Sequence, residues 1–405
     1  MTNWLSIGVL FILALIFFVL FKWGAVRCVG VTPVKSISFI AILFTSGLDV
    51  GLIMFPLTEF PVYADLVNNP EYAFSNPLAI EFGFWGFLVW GMYFLTCFYF
   101  CVLEPHVKFF EIPLVKLLNN IIIVGTCAFT ASLFLNNLPW YLPQLGDGKS
   151  VGVGFYVLVF LVIAAAVHSS SNLRYVRWLS LGSTVLFLAL IVFMGSDFAV
   201  NTDNGMAIMF QNFLLVSDYF KQLDKFVLPI NSYHEFYLYW WFAWSIMIGQ
   251  FTARFVGGFK TWQLLLAMMI VPSVLIAIWF TVLYSLFSQG SQLGSIIPIL
   301  MVCVGVVFVI NSLDSLIRLY TDNLSLKLHR FGYARYFFGN LLALVVLTML
   351  FQLNFLKIEW VGALVIALLF GCFFYILVSR RARVWQIKGS PEQNRLDFEK
   401  LARTV

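Results

Sequence analysis

The feature that most constrains this chain is its division into apolar runs of about twenty residues, each long enough to cross the hydrocarbon core of a bilayer as a helix. They centre near 4–23, 35–57, 80–103, 116–136, 151–168, 176–195, 233–253, 262–286, 293–317, 335–352 and 358–379. The chain therefore reads as an all-α polytopic membrane protein of about eleven spans. Composition agrees, because 61% of the residues are hydrophobic and 11% are charged. A soluble domain carries about 25% charged residues, and no such domain fits between the runs.

Lysine and arginine set the orientation. Of the 24, only Lys149, Lys221, Lys225 and Lys357 fall in loops that the span order places on one side. The rest, among them Arg174, Arg177, Arg254, Lys260, Arg318, Arg330, Arg335, Arg380, Arg381 and Arg383, fall on the other. By the positive-inside rule the second side is cytoplasmic, which puts the N-terminus outside and the C-terminus inside. The first run has no basic residue before it, whereas Lys22 and Arg27 follow it. That is the reverse of a signal peptide, so the run reads as a retained span. The net charge of +5 is the cytoplasmic excess and points to no nucleic-acid partner. The cysteines read as packing residues, and the four histidines show no ligand spacing, so no structural metal is expected.

Two aromatic clusters lie within spans. One is Phe84-Trp85-Gly86-Phe87-Leu88-Val89-Trp90-Gly91-Met92-Tyr93; the other is Tyr239-Trp240-Trp241-Phe242-Ala243-Trp244. Lipid-facing tryptophans collect at membrane interfaces, so clusters within spans have another cause. Aromatic packing between helices is one. An aromatic cage that holds a cation, most often a quaternary ammonium group, is the other.

Two spans are interrupted. The second contains Thr45-Ser46-Gly47-Leu48-Asp49-Val50-Gly51 and then Pro56, and the seventh carries Trp244 to Gly249 after its aromatic cluster. With the first span counted as extra, these are the first helices of two five-helix sets. An odd number of helices inverts each repeat, and broken helices at matching places mark a midplane site. The expected divisions are 1–34, an extra first helix and cytoplasmic loop; 35–200, the first repeat; 201–232, an external segment; 233–380, the second repeat; and 381–405, a short cytoplasmic tail. Residues 205–226 are too polar to span and predict an amphipathic helix along the external surface. Ser390-Pro391-Glu392-Gln393 reads as a helix start in the tail.

These residues resemble the betaine/choline/carnitine transporter family, over nearly the whole chain. Leu43 to Leu52, with Thr58-Glu59, resembles the family's glycine-rich third helix and the Glu-Pro that follows it. Trp85, Trp90 and Tyr93 fall where its fourth helix supplies an aromatic box. Phe236-Tyr237 through Trp244-Ser245, then Phe251-Thr252-Ala253-Arg254, is similar to its eighth-helix signature. Arg177-Trp178-Leu179-Ser180 resembles the motif that opens its seventh helix, and Asn311-Ser312-Leu313-Asp314-Ser315 its Thr-Ser-x-Asp-Ser segment. The resemblance implies a LeuT-like 5+5 inverted repeat, a substrate site at Trp85, Trp90, Tyr93, Trp240, Trp241 and Trp244, and a homotrimer in a bacterial-type inner membrane. It also implies one sodium site at Thr45, Leu48, Asn311 and Ser312, and a second at Thr126 and Thr130.

The departures carry information. Against the family pattern the expectation is a chain without the peripheral first helix and with the long basic tail absent or truncated, and Phe60 stands where the family has proline. Asp49 stands where many members have glycine, and family choline carriers place an aspartate two residues further on, where this chain has Gly51. A mid-span carboxylate is costly, so Asp49 reads as a counter-charge or a protonatable group. It favours a choline-like cation over a betaine-like zwitterion, which carries its own carboxylate. Asp314, one turn before Arg318, reads as an ion-pair partner. The expected function is import of a quaternary ammonium or sulfonium solute by alternating access, coupled to Na+ or H+, in a membrane-lipid environment and with no cofactor. The rival is a transporter-fold receptor that binds without transport. An enzyme is not expected, because His168 and His234 lack a partnered nucleophile.

Overall fold

The computed structural model describes residues 2–47, 50–290, 296–326 and 328–387. The predicted start of a tail helix at Ser390 lies outside them, as do Leu48 and Asp49. The chain is helical nearly throughout: α1 (Thr2–Trp23), α2 (Ser36–Gly47), α3 (Val50–Ala64), α4 (Pro77–Trp85), α5 (Phe87–Phe98), α6 (Glu104–Val107), α7 (Pro113–Tyr141), α8 (Val153–Ser170) and α9 (Leu173–Asn201). Then come α10 (Gly205–Leu215), α11 (Asp218–Lys221), α12 (Leu223–Val227), α13 (Ser232–Ala253), α14 (Thr261–Ser288), α15 (Ile296–Asn323), α16 (Leu328–Phe331), α17 (Tyr333–Gln352), α18 (Ile358–Tyr375) and α19 (Arg381–Trp385). A small antiparallel ribbon joins β1 (Arg27–Val29) to β2 (Gly257–Lys260), tying the loop after α1 to the loop after α13.

Among the described residues, nine helices are long and apolar enough to cross a membrane, or ten if the bent pair α2–α3 is one span. The sequence suggests about eleven, a span length being about 20 residues. The difference is α13. It has the length, at 22 residues, but its tyrosines and tryptophans lower its mean hydropathy. Almost all of it is buried by other helices, so it meets protein rather than lipid.

Helix contacts fall into matching pairs when the two five-helix sets are exchanged. The α2–α9 contact has its counterpart in α13–α18, α7–α17 in α15–α8, and α3–α14 in α13–α5. The pairs α5–α14, α7–α15 and α8–α17 map onto themselves. Helix α1 stands outside this scheme and lies along α5 and α18, with Phe11 stacked on Phe370.

The expected external amphipathic helix is three short helices, α10 to α12, broken at Val216–Ser217 and Gln222. Aromatic anchoring breaks it. Tyr219 packs against Phe82 and Phe87, and Phe226 against Phe84, so the chain turns twice to drive both rings into the protein. The Asp314–Arg318 ion pair also does not form. Asp314 accepts the Ser169 hydroxyl at 2.5 Å, and Arg318 donates to the Ser170 carbonyl at 3.4 Å.

Helix α3 shows how an interrupted span is held. Pro56 has no N–H, so the Leu52 carbonyl loses its i+4 donor. The Trp279 indole N–H from α14 donates to that carbonyl at 2.9 Å, and the Tyr141 hydroxyl from α7 donates to Met54 at 2.5 Å. An unpaired carbonyl in this setting costs about 1 kcal/mol or more. Trp279→Phe should therefore lower the melting temperature of the purified protein, and adding Pro56→Ala, which restores a backbone donor, should recover part of the loss. Purely additive losses in the double variant would contradict this pairing.

Candidate functional site

The aromatic residues expected to form one cage gather around two glycines that flank the α2–α3 junction. The axes of the two helices differ by 53°. A Cβ at Gly47 would lie 2.8 Å from Trp90 Cζ3 and 3.6 Å from Tyr93 Cε2. A Cβ at Gly51 would lie 2.7 Å from Trp85 Cη2 and 3.0 Å from Trp240 Cη2. Only glycine lets backbone and rings approach this closely. The rings form two half-boxes. Trp90 and Tyr93 meet edge to face at 5.3 Å over Gly47. Trp85 meets Trp240 at 5.5 Å and Trp241 at 4.8 Å over Gly51, and the last two stack at 4.6 Å.

A second helix break supplies the geometry. Gly86 divides α4 from α5, so Trp85 and Trp90 sit on separate helices. Carbonyls near such a break lack helical donors. The Trp241 indole donates to Phe84 at 2.8 Å and the Trp90 indole to Trp85 at 3.2 Å. These two tryptophans thus pin the broken helix while their faces line the half-boxes. Among the described residues, the indole nitrogens of Trp240 and Trp244 are buried with no hydrogen-bond partner. Trp244 is fully buried but, among the described residues, makes no ring contact with the other five. The spacing in the sequence did not reveal Phe55 and Tyr237. Phe55 packs 5.9 Å from Trp240, and Tyr237 5.8 Å from Trp241 and 5.9 Å from Trp85. Tyr237 lies one turn before Trp241, a signal that was open to reading.

Three residues of the first expected sodium set are described. Thr45, Asn311 and Ser312 are buried together, and Asn311 Nδ2 donates to the Thr45 carbonyl at 3.2 Å. Ser180, quoted above only as part of a motif, donates to Asn311 Oδ1 at 2.8 Å and joins the set. Leu48 and Asp49 lie outside the described residues. Thr126 and Thr130 are buried in α7, and their hydroxyls donate to carbonyls of their own helix, Ile122 at 2.8 Å and Thr126 at 3.3 Å.

Comparison with known proteins bears on this arrangement. Residues 121–292 match the model of the BCCT, or betaine/carnitine/choline family transporter, group. A glycine betaine transporter of Acinetobacter baylyi is 23% identical over 340 residues, covering 71% of this chain and 51% of that one. A glycine betaine transporter of Bacillus subtilis is 23% identical over 280 residues, covering 61% and 54%. Over that segment and in these relatives, the chain is similar to betaine/carnitine/choline family transporters. It spans about half the length of the curated relatives it matches. A solved Na+-coupled sialic acid symporter aligns over 94% of the chain at 13% identity, with a TM-score of 0.47.

The glycine contacts make a direct test of the half-boxes. Gly51→Ala should force Trp85 and Trp240 aside at about 1–3 kcal/mol, the usual cost of overpacking. The variant should melt lower, with an altered near-ultraviolet circular dichroism spectrum. Gly125→Ala and Gly182→Ala, where a Cβ meets nothing within 4 Å, should not. A Gly51→Ala protein indistinguishable from wild type would remove the rings from this backbone.

Proposed function

We propose that the protein is a secondary transporter of a quaternary ammonium solute, working by alternating access, and that the half-boxes over Gly47 and Gly51 bind the methylated nitrogen. The observation that carries this reading is the Trp240 indole, which has no hydrogen-bond partner among the described residues. A structural ring is better served by phenylalanine, because a buried indole N–H without a partner costs about 1–3 kcal/mol. Trp240 bears that cost between Trp85 and Trp241. Its large π face, the strongest of the aromatic rings for a cation, is what offsets it, at about 2 kcal/mol in a desolvated site.

A choline-like cation is the first guest, because Asp49 belongs to the same junction in sequence and favours net positive charge. A betaine-like zwitterion is the second, and the naming of the relatives for glycine betaine supports it. The matched helix pairs described above support two inverted five-helix repeats of the LeuT-like kind, at 35–200 and 233–380, with one extra helix before them. Opposite motion of such repeats is the means of alternating access. For the coupling ion, the Thr45 carbonyl, Asn311 and Ser312 form the Na+ site, since turning the Asn311 amide over presents Oδ1 beside the Thr45 oxygen. Thr126 and Thr130 form the weaker candidate, because their hydroxyls already donate to carbonyls of their own helix. The protein sits in a bacterial inner membrane with its N-terminus outside, as a homotrimer contacting lipid and partner subunits through the exposed Met206, Phe210 and Leu214 of α10.

Proteoliposome uptake tests the proposal. Labelled choline or glycine betaine should accumulate under an inward Na+ or H+ gradient, and Trp240→Ala should raise the half-saturating concentration about tenfold, the equivalent of about 1.4 kcal/mol. Saturable binding without accumulation would make the protein a receptor. Accumulation unaffected by Trp240→Ala would move the site elsewhere.

A further inference from the structure

A buried acid–phenol cluster lies one helical turn or more beyond the half-boxes. Glu59 and Tyr63 share a face of α3, Glu81 lies in α4, and Tyr233 and Tyr237 share a face of α13. Glu81 is fully buried and Glu59 nearly so. The Tyr63 hydroxyl is 2.5 Å from Glu59 Oε2 and 3.0 Å from Glu81 Oε2. The Tyr237 hydroxyl is 2.9 Å and 3.0 Å from the two Glu59 oxygens, and the Tyr233 hydroxyl also bonds Glu59. Among the described residues, no lysine or arginine forms an ion pair with either acid.

Hydrogen-bond arithmetic fixes what this cluster lacks. A phenol has one proton to donate and an ionised carboxylate has none. Three phenols therefore supply three protons, and Glu59 takes all three. The contact between Tyr63 and Glu81 is then left with two oxygens and no hydrogen. One additional proton, on Glu81 Oε2 and donated to the Tyr63 oxygen, satisfies it. The same proton removes one of two buried negative charges that have no cation to balance them, and two close carboxylates share one proton for that reason. We propose that Glu59 and Glu81 form a single-proton site whose occupancy locks the ends of α3, α4 and α13 over the half-boxes.

The cluster is placed to act as a gate. Its three helices are those that carry Gly51, Trp85 and Trp241, and Tyr237 touches both the Glu59 carboxylate and the Trp85 and Trp241 rings. By the distribution of basic residues this end faces outside. Loss of the proton puts two adjoining carboxylates in a buried site, and their repulsion separates α3 from α4. Other titratable groups surround the pair. From the loop between α3 and α4 come Glu71 and Tyr72, the first bonded to Asn231 and the second packed on Tyr63. Helix α7 contributes Tyr141, whose hydroxyl is committed to Met54. Helix α13 contributes His234, which stacks on Phe84 and accepts the Ile230 N–H at Nδ1, and α14 contributes Tyr284, packed on Phe60. None supplies a positive charge to the pair in this arrangement.

The gate rests on the onium reading above, but the proton site does not. Infrared difference spectroscopy of the full-length purified protein, titrated from mildly acidic to alkaline pH without substrate, should show the carbonyl stretch of one protonated carboxylic acid that disappears as the pH rises. Glu81→Gln should abolish that band and keep the fold, because the amide N–H replaces the acid proton toward Tyr63. Quenching of tryptophan fluorescence by iodide should increase with pH in the wild type and become insensitive to pH in Glu81→Gln. A band that survives Glu81→Gln unchanged, or quenching that ignores pH in the wild type, overturns the proposal. A failed onium titration overturns the function above while the infrared result stands.

Discussion

The interaction on which the structure depends is the hydrogen bond from a side chain to a backbone carbonyl that a broken helix has left without a donor. A membrane offers no water to such carbonyls, so helix breaks survive in a bilayer only where protein supplies the partner. Here the partners are mostly aromatic. Trp279 serves Leu52, Trp241 serves Phe84 and Trp90 serves Trp85, while Tyr141 bonds the Met54 carbonyl beside the first of these. Each ring reaches the break from another helix or across it, so the same bonds that relieve the backbone also fix the packing of α3, α4, α5, α7, α13 and α14.

From this follows an ordered set of layers along α2 and α3. Near the end of α2 the Thr45 carbonyl meets Asn311, and Asn311 meets Ser180. At Gly47 and Gly51 the backbone is bare and the rings of Trp90, Tyr93, Trp85 and Trp240 lie against it. Farther on, Tyr63, Tyr233 and Tyr237 converge on Glu59. Polar oxygens, aromatic faces and acid–phenol contacts thus succeed one another on a single interrupted span. A cationic solute held by ring faces would stand between a set of oxygens suited to a small cation and a carboxyl pair suited to a proton.

Much of this was legible in the sequence because helix length and hydropathy are local properties. Among the described residues the apolar runs lie in helices, and Trp85, Trp90, Tyr93 and Trp240 lie against Gly47 and Gly51. What was not legible depended on partners distant in the chain. Glu81 sits in an apolar run with nothing local to mark it, and its meaning comes from Tyr63, eighteen residues earlier. Tyr237 looks like one more aromatic residue until Glu59 lies beneath its hydroxyl. The single expected cage became two half-boxes because Gly86 breaks the helix between Trp85 and Trp90, which changes their relative direction. The 205–226 segment failed as one helix because Tyr219 and Phe226 gain more by burial than a straight surface helix allows.

The measurement that tests the central claim most directly is titration of intrinsic tryptophan fluorescence in the purified protein with choline and glycine betaine, each with and without sodium. The account predicts a saturable change with at least one of the two solutes, because the indoles that report are the indoles that bind. Choline binding that needs no sodium would place the counter-charge at Asp49, and sodium-dependent betaine binding would place the cation at Thr45 and Asn311. No saturable response to either solute under any condition would contradict the account, leaving the aromatic layer as helix packing alone.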